Sequence, residues 1–338
     1  MKTIRTTFLF DMRAPAWGTP TKDLYAAALE MGAYADKIGV DVLGVMEHHA
    51  SEDGYLPQPF LMASALAAVT KRIHFSLGAV ILPLHDPVEV AEQIAIVDLI
   101  SGGRAMVVLG AGYVPSEFAM FGKSTRTRGK AMDEGIEVIM RALRGERFEY
   151  QGRPIYVRPL PIRPPEEILM VGGGVAASAK RAARFDLGFG PTVPGLIDLY
   201  MEECAKHGRA PRSYFTPVIG MPMGIHLCED PEQGWKAIER HAIHVITAYA
   251  AWAEEEGEGT ISPFAGFTDP AVLRQAGLFA AWTPEQLLAK AASMEDGSNF
   301  AFQPLLGGLD PAEGWKSIKL LEQVMPELKQ QIKVAEQA

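Results

Sequence analysis

Short apolar or β-branched runs alternate along this chain with longer stretches of helical periodicity, the pattern of repeated strand–helix units around a parallel sheet. Residues 5–10 predict a first strand, and 22–38 a helix with Leu24, Ala27, Ala28, Met31 and Ala35 at apolar positions and Gly39 as its stop. The run 40–46 predicts a buried second strand ending at Glu47, and a helix over 59–70 leads to a third strand over 73–82 that holds Gly78 in its interior. Asp86 and Pro87 read as N-cap and first position of a helix that stops near Ser101-Gly102-Gly103. Further strands are expected at 105–109, 168–171, 186–189, 218–227 and 299–305, with a helix over 128–144 and a connection rich in Pro and Arg over 152–165. Eight such units in one register predict an α/β fold, a single (β/α)8 TIM barrel spanning 1–338. The segment 252–282 breaks the rhythm and predicts an insertion or lid before the last strand.

Composition narrows the partners. Acidic residues outnumber basic ones 41 to 32, a formal charge of −9, which argues against a broad nucleic-acid or anionic-membrane surface and for small ligands. Cys204 and Cys228 lie on segments of different type and read as ordinary thiols of a reducing compartment. With no apolar run near the roughly 18 residues that span a bilayer, the expectation is a soluble cytoplasmic protein.

Candidate chemistry gathers at strand ends. Glu47, His48 and His49 follow the second strand where a barrel places reactive groups, and an imidazole titrating near neutrality suits proton transfer. With His85 they offer metal-ligand types, yet adjacent strand positions point to opposite faces and no His-x-x-x-His spacing occurs near them, so no metal site is expected. Gly110-Ala111-Gly112 lacks the third glycine of a dinucleotide turn. Gly172-Gly173-Gly174, leading into a helix from Val175, is the better anion cradle, with Arg126 and Arg128 as compensating cations; tight turns and surface ion pairs are the ordinary alternatives. Phe10, Trp17, Phe118 and Trp282 suit an organic ligand or plain packing.

The segments Gly78-Ala79-Val80-Ile81-Leu82-Pro83-Leu84-His85-Asp86-Pro87, Asp98-Leu99-Ile100-Ser101-Gly102-Gly103-Arg104 and Leu109-Gly110-Ala111-Gly112-Tyr113, with Glu47-His48-His49, resemble those of the bacterial luciferase-like flavin-dependent oxidoreductases, and similarity extends to Pro304–Pro311. That resemblance implies a reduced flavin or deazaflavin, a bulge at Gly78-Ala79-Val80 beside the ring, often with a cis non-prolyl peptide, and Gly110 on the next strand. Arg128 matches a phosphate-binding arginine, and Gly173 and Gly174 occupy the phosphate turn, with Gly172 and Val175 on either side of it in the anion cradle above. Ala111 and Gly174 replace a second arginine and a serine of luciferase, so the phosphate grip differs. His48 aligns with the histidine acting at the flavin, with Glu47 and His49 beside it.

The leading expectation is a monooxygenase using reduced FMN, from a separate reductase, and O2 on a small organic substrate. A deazaflavin (F-420) oxidoreductase performing hydride transfer, with Lys123, Arg126, Arg128 and Lys130 facing the cofactor tail, is the alternative. A non-catalytic flavin-binding subunit is a third. The family likeness also implies a homodimer or higher homo-oligomer, with Ala63, Ala67, Ile94 and Ile96 of the second and third helices available to an interface or to packing.

Overall fold

The computed structural model describes residues 4–215, 220–257, 264, 266–294 and 298–334. The chain first makes β1 (Arg5–Phe10), α1 (Thr21–Ile38) and β2 (Val42–Val45). It continues through α2 (Pro59–Ala68), β3 (His74–Ile81), α3 (Pro87–Ser101), β4 (Ala105–Gly110), α4 (Pro115–Met120) and α5 (Arg128–Leu143). A hairpin of β5 (Phe148–Tyr150) and β6 (Arg153–Ile155) and the single turn α6 (Pro165–Ile168) precede β7 (Leu169–Gly173), α7 (Ala176–Phe185), β8 (Gly188–Pro191) and α8 (Leu196–Lys206). The closing elements are β9 (Gly224–Leu227), α9 (Pro231–Glu256), α10 (Pro270–Ala276), β10 (Phe279–Trp282), α11 (Pro284–Ser293), β11 (Asn299–Phe302) and α12 (Pro311–Val334). These form parallel strands flanked by helices, a TIM-barrel-like arrangement, divided between two compact units. The first takes Met1–Gly44, His48–Pro57 and Val218–Ala338, and the second Val45–Glu47 and Gln58–Pro217, so the division runs through the Glu47-His48-His49 triplet.

In the first unit the strands follow the order β10-β9-β11-β1-β2. β1 pairs in parallel with β11, setting Phe8 opposite Phe302 with their rings edge-on at 6.0 Å. The apolar positions expected on α1 are buried, and Gly39 ends the helix at φ 87°, a left-handed conformation that glycine adopts without a Cβ penalty. Asp41, just after this stop, accepts from the Thr6 amide and hydroxyl at 2.8 Å and from Lys329 Nζ, tying β1, α1 and α12 together. Around α9 the core is Trp235, Ile238, Val245, Ile246, Phe279 and Leu306.

In the second unit the order is β3-β4-β7-β8, all parallel. Asp86 caps α3 by accepting from the Val88 amide at 2.9 Å, with Pro87 at the first helical position. Asp98 is fully buried, yet Arg163 meets its Oδ1 through Nε and Nη2 at 3.0 and 2.6 Å, and the Ile162 amide donates to Oδ2 at 2.8 Å. Arg104 donates to the carbonyls of Ala67, Thr70 and Ile73, where α2 ends. The Asp98–Arg104 motif thus holds elements together.

Two elements add to what the periodicity predicts. The connection over 152–165, expected as rich in Pro and Arg, includes the strand Arg153–Ile155, which pairs antiparallel with Phe148–Tyr150. The break before the last strand contains β10, which pairs in parallel with β9 along its whole length; 258–263 and 265 of that segment, and 218–219 of the seventh expected strand, lie outside the described residues.

Candidate active site

In the first unit, chemistry collects where the chain leaves β1 and β2 and where α9 meets those segments. Arg13 is fully buried. Its Nη1 donates to Asp53 Oδ2 at 3.1 Å, its Nε stands 3.5 Å from Asp11 Oδ2, and the guanidinium carbon lies 4.6, 5.0 and 5.0 Å from the ring centres of Tyr55, Tyr249 and Trp252. Cation–π attraction is strongest for such a desolvated cation. Arg13 Nε and Nη2 have no hydrogen-bond partner among the described residues.

Asp53 is the hub. His244 Nε2 lies 2.7 Å from its Oδ2, and the Ser51 hydroxyl and the Tyr55 amide donate to its Oδ1. Burial alone would raise its pKa, but the His244 hydrogen bond, the Arg13 charge and the Ser51 hydroxyl together hold it well below the carboxylate range. Asp11 goes the other way: burial outweighs Arg13 and lifts it to about 6.

The same aromatic rings enclose His48. Its imidazole stacks on Trp252 at 4.1 Å and 18°, meets the edges of Tyr55 and Tyr249 at 4.8 and 6.0 Å, and its amide donates to Leu56 O. The hydroxyls of Tyr55 and Tyr249 are 3.2 Å apart. His49 is buried in the same loop, and Phe10 is fully buried.

In the second unit Glu47 is buried; its Oε2 accepts from the Ile81 amide at 2.9 Å and its Oε1 lies 2.6 Å from His85 Nε2. The bulge appears as a register shift against β4 between Gly78 and Val80, and the Gly78–Ala79 peptide is cis. Gly110 lies opposite: a Cβ there would stand 2.6 Å from that of Ala79. Val108 fills space left by glycines on either side, 3.5 Å from where a Gly78 Cβ would be, 2.8 Å from that of Gly172 and 3.4 Å from that of Gly190. Packing against Val108 therefore explains part of the glycine pattern.

At the phosphate turn, Gly173 has φ 145° and a Cβ on it would stand 2.8 Å from Ser178 Oγ, while one on Gly174 would stand 2.5 Å from Thr192 Oγ1. Val175 is the N-cap residue of α7 and its side chain is exposed. Arg128 opens α5, whose next residue, Gly129, accepts from Arg181 of α7 at 3.3 Å. Phe118 packs with Ile81 and Leu84 as core.

Sequence reasoning missed the Arg13–Asp53–His244 cluster, and it grouped Glu47 with His85 only as metal-ligand types, not as the hydrogen-bonded pair they form. Asp11 and Arg13 directly after an apolar strand, and His241 and His244 three apart on a helix with Tyr249 and Trp252 beyond, were the available signals.

These features define an α/β, TIM-barrel-like protein with oriented acid–base groups at strand ends. The family model described as luciferase-like monooxygenase matches residues 5–296, and the chain belongs to that family of flavin-dependent oxidoreductases. Among its relatives, 4-hydroxyprotoasukamycin monooxygenase of Streptomyces nodosus subsp. asukaensis is 32% identical over 139 residues, 39% of this chain and 38% of that protein. The chain spans about two-fifths of the length of the first curated relatives it matches. Two solved structures share the fold: monooxygenase RslO1 from Streptomyces bottropensis, with a TM-score of 0.72, 23% identity and coverage of 96% of this chain and 99% of that one, and the oxygenating constituent of 3,6-diketocamphane monooxygenase from Pseudomonas putida in complex with FMN, with 0.73, 18%, 96% and 98%. Among the described residues, no helix is long and apolar enough to cross a membrane.

Proposed function

We propose that this protein is a flavin-dependent monooxygenase that takes reduced FMN from a separate reductase and uses dioxygen on a small organic substrate, with His48 as its acid/base. The observation that carries the reading is the β3 bulge beside Gly110, where any Cβ would collide with Ala79, so the two backbones approach closely at the C-terminal ends of their strands, where this class of fold binds its ligands. A phosphorylated cofactor suits the residues present. The Thr192 hydroxyl lies beside Gly174 ahead of the first amides of α7, the Ser178 hydroxyl donates to Val175 O and fixes that turn, and Arg128 opens the neighbouring helix. Residues Gly78, Ala79, Val80 and Gly110 would border the ring, and Gly172 to Val175 with Arg128 would hold the phosphate.

When bound, the reduced flavin supplies the two electrons by which one oxygen atom of O2 becomes water while the other enters the substrate. The chain's own contribution is proton handling and exclusion of water. His48 is held at fixed orientation by its stack on Trp252, where it can hold or release a proton at its imidazole, and Tyr55, Tyr249 and Trp252 keep water from it. Glu47 orients His85. A homo-oligomer fits helices α2 and α3, which bury Ala63, Ala67 and Ile94 yet expose Leu61, Ile96 and Ile100, with exposed Val69 capping α2.

Parallel fluorescence titrations with FMN and with the deazaflavin F-420, alongside oxygen uptake with reduced FMN, test this reading. FMN should saturate the protein, Gly110→Val should abolish that binding, and His48→Ala should retain it while losing coupled turnover. Tight binding of the deazaflavin without oxygen uptake would transfer the reading to hydride transfer, and binding of neither would end it.

A further inference from the structure

The first unit holds an acid–base group that the reading above leaves without a task. His244 of α9 places Nε2 2.7 Å from Asp53 Oδ2, and that carboxylate also accepts from Arg13 Nη1 at 3.1 Å, the Tyr55 amide at 3.2 Å and the Ser51 hydroxyl. A carboxylate with four donors remains ionised and only accepts. When uncharged, the imidazole therefore carries its proton on Nε2 and presents Nδ1 as a lone pair. Among the described residues Nδ1 has no hydrogen-bond partner, and the His244 side chain is 27% exposed, whereas His48 is 8% exposed. His244 is thus an oriented base with an open side.

Its surroundings suit a planar anion. The edge of the His244 ring meets Trp17 at 5.7 Å, and Trp17 is 37% exposed, with the Arg240 guanidinium 3.8 Å from its ring centre. His241 lies beside the same indole at 5.0 Å, its Nδ1 2.9 Å from Gly307 O; burial, together with the Arg240 charge, lowers its pKa despite that hydrogen bond, so it adds no competing positive charge at neutral pH. An aromatic face, a cation and a carboxylate-backed base therefore share one exposed patch of the first unit. Arg13 and Asp11 reach this patch through Asp53.

We propose that His244, backed by Asp53, is the general base that ionises the organic substrate, and that this substrate is a phenol or a planar acid of similar strength. The proton passes from the substrate O–H to His244 Nδ1, leaving a phenolate and an imidazolium whose Nε2–H stays on Asp53. No electrons move in this step, and the proton returns to the product oxygen or to solvent on release. The inference deepens the monooxygenase reading and rests on it, because a phenolate ring is far richer in electrons than a phenol and is the better acceptor of an oxygen atom.

The probe is 4-nitrophenol, whose anion has its own visible absorption band, titrated into the full-length flavin-free chain one pH unit below the probe's free ionisation midpoint. Wild type should bind it as the phenolate, with at least tenfold more bound anion than His244→Gln, and Asp53→Asn should also reduce the band. FMN titration of His244→Gln, run alongside, should match wild type, and its thermal melt should stay cooperative, which shows an intact fold. Failure of 4-nitrophenol to bind, binding in the neutral form, or a phenolate band that survives in His244→Gln would each overturn the proposal. A wild-type protein that shows the band but binds no FMN would sink the flavin reading and leave the base assignment standing.

Discussion

The two units differ in what shapes their strand ends. In the first, buried charges from segments after β1 and β2 and from α9 satisfy one another: Arg13 sits between Asp11 and Asp53, and His244 continues the chain of contacts outward. In the second, the strand ends are shaped by glycines and backbone, and the buried Asp98–Arg163 pair ties α3 to the connection that follows the hairpin. Substitutions that change charge should break the first unit's site, and substitutions that change volume should break the second's.

The largest effect tests whether the buried Asp98 carboxylate of the second unit is architectural. Asp98→Ala leaves Arg163 without its partner and two amides unmet, and urea unfolding should show a loss of about 3–5 kcal/mol. A loss below about 1 kcal/mol would show that the pair does not hold α3 in place.

Asp11 tests the first unit through pH. Its carboxyl has an ordinary value of 3.8 and titrates at about 6 in the folded chain, so the folded state binds more protons between those values. Its contribution to stability is full below about pH 4 and is lost as pH rises through 6. Asp11→Asn should flatten the stability curve over that window by up to about 3 kcal/mol, followed by urea midpoints across pH. Asp53, held low, works in reverse: its stabilisation is present above about pH 4 and fades as pH falls.

Volume is the third test. Gly172→Ala brings a Cβ within 2.8 Å of Val108 Cγ1 and should cost about 1–3 kcal/mol, with Val108→Ala restoring part of it in a double-mutant cycle. Additive effects would separate the glycine pattern from Val108. The smallest effect is Tyr249→Phe, which leaves the Tyr55 hydroxyl without its 3.2 Å partner and should lower stability by about 1 kcal/mol in thermal melting.

Much of the fold was legible from periodicity. β1 spans 5–10 as expected, α1 and α3 start and stop within a residue or so of their caps, and Asp86 caps α3. β10 was not legible, because four residues between two helices carry too little pattern and its identity as a strand comes from pairing with β9. The β5–β6 hairpin escaped for the same reason, its strands being three residues each. The sequence singled out the Glu47-His48-His49 triplet, and the contacts of its members were not legible. Glu47 turned to His85, 38 positions away, and His48 to Trp252.

By itself the sequence determined the kind and order of the longer elements, because helix and strand periods, caps and glycine stops act over a few residues. It also determined which segments end in groups able to move protons, since Asp11, Glu47, His48 and His49 follow apolar strands closely. Tertiary structure alone decided what those groups do to one another. Asp53 and His244 lie 191 positions apart and become an oriented base only when α9 packs against the segments after β1 and β2, because hydrogen bonds and ring stacking depend on distances of a few ångströms that no local pattern encodes.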